Sequence, residues 1–294
     1  MNIHSILAVT DLSPQGNRAV LRAAMFAAQQ HALLKIMYAP WDLGGSINTD
    51  VKQDVKRLAT ETYTRFDILV KNVADTSGHL QAVAEEARWA DLLVVGEHSK
   101  KSAKAFFCGQ TIERLQRIVP CPILLARLDV FHRYRRILVA VDSTPSSRKL
   151  LKLARSLDRN AEIESFHALS TKLGVKLRDK DVSEQAVKTY QKESTVNPQE
   201  HLFRASDSST DRRNRVATMI GRSDVALQAV IQQQHSNAEL IVVGKRRSSG
   251  FSDFLFGSVA HRVLWWSRGD VLLVPHDLRI DPPDQQGSSA ARTS

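Results

Sequence analysis

A pair of glycines occurs twice in this chain at the same spacing, and that repeat limits what the chain can fold into. Gly96 precedes Gly109 by 13 residues, Gly244 precedes Gly257 by 13, and the second pair lies 148 residues after the first. Each pair follows a short run of apolar residues, Leu92–Val95 or Leu240–Val243. Each leads into a segment with helical spacing and then a last apolar run, Ile123–Leu125 or Val271–Val274. The tetrapeptide LQAV at Leu80–Val83 recurs at Leu227–Val230. A repeat this long is a duplication of whole domains; solenoid units span only about 20–50 residues.

Each copy alternates between strand and helix patterns. In the first, the pattern predicts strands at Ile6–Thr10, Leu33–Tyr38, Asp67–Val73, Leu92–Val95 and Ile123–Leu125. Helices are predicted at Asn17–His31, Thr49–Thr64, Gly78–Trp89 and Thr111–Ile118. The second copy starts at Ile137, with strands at Ala161–Ala168 and Arg215–Ile220 and helices at Arg148–Leu157 and Val225–Gln234. Its last helix opens at Gly257-Ser258, with Ser258 as a suitable N-cap. Val259, Val263 and Trp266 recur there at helical spacing. Such alternation indicates a parallel sheet covered on both faces. The fold class is α/β: two tandem open parallel-sheet domains, doubly wound and of nucleotide-binding type.

Asp142 corresponds to Asp11 at an offset of 131, against 148 for the glycines, so the second copy is 17 residues longer. The surplus falls mainly between Leu169 and Arg215, where Ser183–Ser194 suits a helix and Ser206–Asn214 reads as a mobile loop. The expected organisation is a first domain over residues 1–131 and a second over 132–279, joined near Phe131–Arg136, with a disordered tail over 280–294.

At 294 residues, with 43% hydrophobic and 24% charged residues, the chain suits two soluble domains. No apolar run reaches membrane-span length, and MNIHSILAVTD lacks the zones of a signal peptide, so a cytoplasmic protein is expected. Cys108 and Cys121 are then expected as reduced thiols. The net charge of +10 is spread through both halves in short clusters such as Arg133–Arg136, Arg212–Arg215 and Lys245–Arg247. No nucleic-acid-binding signature accompanies them, so specific nucleic-acid binding is not expected.

A strand, a glycine loop and a helix N-terminus together suit an anion, because free backbone N–H groups and the helix dipole point at it. Ligands of parallel sheets sit beyond the carboxyl ends of the strands, where Asp11, Gly96, Asp142 and Gly244 all fall. The plainer alternative is that the glycines only make turns and the aspartates only cap. For catalysis the residues offer little. Walker, nucleophile-elbow and zinc spacings are absent from the sequence. His98 and His261 read better as loop or helix residues than as bases. Trp265-Trp266 reads better as core or interface packing than as a stacking platform. No catalytic residue and no metal ligand is assigned.

The arrangement G-x-x-G-x9-G-[ST], set between an I-V-V-G strand and a V-L-L-V strand, resembles the universal stress protein family, and the resemblance runs along nearly the whole chain. It implies a tandem type with an adenine-nucleotide site, for ATP or AMP with or without magnesium, mainly in the second half. The implied contacts there are Ala140 and Ala168 flanking adenine, Asp142 near ribose or base, and Val243, Gly244, Arg246 and Arg247 along the loop. Gly257, Ser258 and Val259 would complete the site at the helix N-terminus. Arg247 departs from the pattern by replacing the second glycine, and it either clamps a phosphate or obstructs it. In the first half Asp11, Gly96 and Gly109 remain, but Ser99 and Gln110 replace the glycine and the hydroxyl residue, and Thr111 would have to serve as the cap. The resemblance implies a stress sensor or regulator, not a turnover enzyme. The alternatives are a degenerate scaffold acting through protein contacts and a slow ATP hydrolase. It also implies that Pro122–Ala126 pairs with Val271–Pro275, making a pseudo-dimer within one chain; further homodimerisation stays open.

Overall fold

The computed structural model describes residues 3–40, 49–73, 80–97, 111–141, 146–170, 214–221, 224–245, 259–275 and 278 of the 294. Its strands are β1 (Ser5–Thr10), β2 (Leu33–Tyr38), β3 (Val70–Asn72), β4 (Leu92–Gly96), β5 (Ile123–Ala126), β6 (Arg136–Val141), β7 (Glu162–Ser170), β8 (Asn214–Gly221), β9 (Leu240–Lys245) and β10 (Asp270–Pro275). Its helices are α1 (Pro14–Gln30), α2 (Thr49–Phe66), α3 (Leu80–Ala87), α4 (Thr111–Ile118), α5 (Ser146–Leu157), α6 (Val225–His235) and α7 (Val259–Trp266).

The ten strands form one sheet in the order β3-β2-β1-β4-β5-β10-β9-β6-β7-β8. Within each half the pairing is parallel, and the halves join through the antiparallel pair β5–β10. There Val271 faces Leu125, Leu272 faces Leu124 and Leu273 faces Ile123. Leu124 and Leu272 are separated by the glycine offset of 148, so a pseudo-twofold axis passes between them. The expected pseudo-dimer is therefore present, and each half covers what would be an exposed strand edge of the other.

Alternation along the strands builds two cores. Ile6, Ala8, Leu92, Val94, Leu124, Leu240, Val242 and Leu272 face α1, α2 and α5. Leu7, Val9, Leu93, Val95, Leu138, Ile241, Val243 and Leu273 face α3, α4, α6 and α7. Strands buried on both faces must be apolar at every position, which is why LLVV and LIVV carry no polar alternation.

The duplication extends to polar detail. Asp91 Oδ2 accepts from the His4 and Ser5 amides at 2.8 and 3.0 Å, closing the start of β1 onto β4. Glu239 Oε2 does the same for the Arg135 and Arg136 amides at 2.5 and 3.4 Å. The two acceptors keep the 148 offset and the four amides the 131 offset.

Three elements differ from expectation. Helix α1 begins at Pro14, not at Asn17: Ser13 is its N-cap, with Oγ accepting from the Gly16 amide at 3.1 Å, and proline occupies the first turn. The third strand is short, because Asp67 takes a left-handed φ of 51° and donates its N–H to Tyr63 O at 2.9 Å, ending α2. On α7 the buried face is Ala260, Val263 and Leu264, while Trp266 is 42% exposed, so core packing does not hold for Trp266. The expected helix at Ser183–Ser194, the expected loop (apart from Asn214) and the expected tail lie outside the described residues. No described helix is long and apolar enough to cross a membrane.

Candidate functional site

Each half has its strand-order reversal beside its first strand, between β1 and β4 and between β6 and β9. That is where a crevice opens at the carboxyl ends of a doubly wound sheet. In the second half, Ala140 on β6 lies opposite Val243 on β9 and Phe166 on β7. Val243 is 2% exposed; Gly244, one residue further along β9, is exposed. Ala168 sits on β7 opposite Met219 of β8. Val259, half-buried, opens α7. The structure thus gathers Ala140, Val243 and Gly244 at one strand edge. Asp142, Arg246, Arg247, Gly257 and Ser258, with Gly109 of the first half, lie outside the described residues.

The first half's edge is closed by its own chain. Thr10 Oγ1 accepts from the Leu12 amide at 2.9 Å and donates to Asn17 Oδ1 at 3.1 Å. Asp11 Oδ1 accepts from the Ser13 amide at 3.0 Å and from its hydroxyl. That is the turn-aspartate role. Burial, and after it the Asp11 carboxylate, raises the Tyr38 hydroxyl above its ordinary pKa.

The two equivalent glycines do different work. A Cβ on Gly96 would lie 2.3 Å from Gln15 O and 2.6 Å from Gln15 C, so the backbone of α1's first turn sits over the end of β4. Among the described residues, the atoms nearest a Cβ on Gly244 belong to the Leu150 side chain, the first at 3.3 Å. Gly96 is buried and Gly244 exposed. The residues that follow them, Glu97 and Lys245, have opposite charge.

One polar cluster was not foreseen from the sequence. Asp270, fully buried at the start of β10, accepts from the Arg127 and Leu128 amides at 2.7 and 2.8 Å and from the Tyr134 hydroxyl. Arg22 Nε lies 3.3 Å from Oδ2, the oxygen that takes the Tyr134 hydroxyl, and the Arg22 guanidinium stacks 4.3 Å from the Tyr134 ring centre. Burial, followed by the Asp270 carboxylate, pushes the Tyr134 hydroxyl well above its ordinary pKa. The available clue was a carboxylate heading the apolar run at Val271–Val274, where the first copy has Pro122. His261 sits on α7, its ring 6.1 Å from Trp265.

Tandem, dyad-related open parallel sheets with glycines at the switch-point strand ends define a doubly wound α/β protein of nucleotide-binding architecture. The model of the Universal stress protein family matches twice, over residues 2–127 and 133–275. The chain belongs to that family. Among solved structures it is similar to a universal stress protein from Archaeoglobus fulgidus DSM 4304, at 14% identity and a TM-score of 0.63, covering 92% of this chain and 96% of that one. It is also similar to a putative universal stress protein from Pseudomonas aeruginosa UCBPP-PA14, at 19% identity and a TM-score of 0.65, covering 93% of both chains. A functionally unknown protein from P. aeruginosa PAO1 is similar at 19% identity and a TM-score of 0.65, covering 93% of this chain and 92% of that one. At these identities the likeness speaks for the fold. No curated protein matches.

Proposed function

We propose that the second half binds an adenine nucleotide, ATP or AMP, and that the protein acts in the cytoplasm as a stress sensor or regulator and not as a turnover enzyme. The observation that carries this is the difference between the two glycine ends. Gly244 is exposed beside Ala140 and Val243, whereas Gly96 is covered by the backbone of α1. A phosphate needs open backbone at a helix entry. The second half offers an exposed strand end followed by Lys245, and the first half a covered one followed by Glu97. Adenine would sit against the small side chains of Ala140 and Ala168, with Asp142 accepting from ribose hydroxyls or the exocyclic amine. Gly257, Ser258 and Val259 would present amides to the phosphates. Magnesium would be held by those phosphates and waters, since no protein ligand is assigned to it.

Calorimetric titration of ATP and AMP into the full chain, with mass spectrometry of any co-purified small molecule, tests this. One nucleotide per chain is the expected result. A nucleotide-free protein with no calorimetric or thermal response to either compound would leave the scaffold reading standing instead. Sustained phosphate release would favour the hydrolase.

A further inference from the structure

Arg127 leaves the sheet directly after β5, beside the pseudo-twofold axis, and its side chain, 7% exposed, crosses into the second half. Nη2 donates to Leu264 O at 2.6 Å and Nη1 to Ser267 O at 2.9 Å. Leu264 lies in the last turn of α7 and Ser267 follows its end. Last-turn carbonyls lack helical partners and form the negative end of the helix dipole, so a cation there both caps and neutralises. Nε donates to Glu97 Oε1 at 3.1 Å, and Glu97 follows Gly96 directly. Burial lowers the Arg127 pKa, and Glu97 is the first of the groups that oppose this and hold the charge. The contact exists once. By the 148 offset the counterparts of Arg127 and Glu97 are Pro275 and Lys245, and a proline has no cation to return to α4.

We propose that Arg127 is a positioning residue for α7, whose first residue, Val259, carries an amide of the nucleotide site read above. It holds α7 at its C-terminus from the first half, and Glu97 holds Arg127. The inference rests on the nucleotide reading above. An eight-residue helix is a rod about 12 Å long, so freeing one end moves the other. The N-terminal end of α7 is the end that would meet phosphate. The first half, with its own loop end covered, thereby regulates the site it does not contain.

The test compares ATP with adenosine, which lacks the phosphates, in calorimetric titrations of the full chain. The variants are Arg127→Met, Arg127→Lys and Glu97→Gln. Arg127→Met should weaken ATP about tenfold, the effect of a helix-end charge in a partly buried setting, and leave adenosine unchanged. Arg127→Lys should recover part of the loss, and Glu97→Gln should fall between. Loss of ATP and adenosine binding together would mean a merely structural role and overturn the inference; so would unchanged ATP affinity in a folded Arg127→Met protein. If that variant fails to fold, unchanged ATP affinity in Glu97→Gln overturns it. A parent chain that binds neither compound sinks the nucleotide reading itself, and this inference with it.

Discussion

Asp270→Ala should destabilise the junction of the two halves more than any surface change. The carboxylate is fully buried, accepts from two amides and the Tyr134 hydroxyl, and is ion-paired with the Arg22 guanidinium, whose side chain is 4% exposed. Removing one partner of a buried ion pair costs about 3–5 kcal/mol, because the other charge is left without compensation. The amides and the hydroxyl would add to this, but their losses share one collapsed site and do not sum. About 4 kcal/mol is the working figure. The double variant Arg22→Leu/Asp270→Ala removes both charges and should cost at least ~2 kcal/mol less than the two single losses added. Apolar groups are acceptable at this kind of position, since Leu153 and Pro122 are the counterparts by the 131 and 148 offsets. Urea unfolding followed by tryptophan fluorescence and by circular dichroism supplies the numbers. The junction is shared by both halves, so Asp270→Ala should also separate the two signals into distinct transitions. A loss under ~1 kcal/mol for Asp270→Ala, or strict additivity in the double variant, would refute the desolvation argument.

Gly96→Ala drives a Cβ to 2.3 Å from a backbone oxygen and should cost about 1–3 kcal/mol in the same urea assay, while Gly244→Ala, whose nearest neighbour among the described residues is the flexible Leu150 side chain at 3.3 Å, should stay within about 0.5 kcal/mol. The Cys121 thiol is raised by burial from 9.0 to about 12, so its contribution is fully present below pH 9 and is lost as pH rises toward 12. The lost stability is about 1.4 kcal/mol per pH unit in that window, and Cys121→Ala should remove this slope. On the proposed nucleotide reading, Gly257→Val should abolish ATP binding in calorimetry and leave the circular dichroism spectrum unchanged, because a Cβ there would exclude the phosphate. Arg247→Gly should weaken ATP by about 1–3 kcal/mol if that arginine clamps phosphate, and should strengthen it if the side chain blocks the loop.

Strand and helix order was readable in the sequence because both periodicities were clean. The stripe Ala19, Ala23, Phe26 and Ala27 is buried on α1, and Val83, Ala84 and Ala87 are buried on α3. The strand pairing at the dyad followed from the resemblance alone; the pair Leu124–Leu272 then proves to obey the 148 offset. Ends were less readable where a polar residue closed an element. Ser13-Pro14 starts a helix that the apolar spacing places only from Asn17, and Asp67 ends one although it reads as strand. Trp266 stays out of the core because an i, i+3, i+4 stripe at Ala260, Val263 and Leu264 is what α7 buries. At the site, Ala140, Val243 and Gly244 could be placed because strand register is local and periodic. The partners of Asp270 lie over a hundred residues away in sequence, and no local pattern announces such a contact.

That cluster also gives a physical reason for joining two copies in one chain. A symmetric dimer of identical subunits must make each off-axis contact twice. Here Arg22, Arg127, Tyr134 and Asp270 meet once, and the counterparts by the two offsets are Leu153, Pro275, Ile3 and Pro122. One side of the junction is polar and directional; the residues equivalent to it are apolar. Fusion frees each copy to diverge at equivalent positions without unbalancing a symmetric interface. The same freedom separates Gly96, packed under α1, from Gly244, left open. Restoring symmetry tests whether the divergence matters. Pro122→Asp alone would bury a carboxylate at a site whose offset counterparts of Tyr134 and Arg22 are the apolar Ile3 and Leu153, and should destabilise by several kcal/mol. Adding Leu153→Arg and Ile3→Tyr should recover most of that loss in urea unfolding if the two sides of the junction are geometrically equivalent. Failure of the triple variant to recover would mean that the dyad relates backbones only.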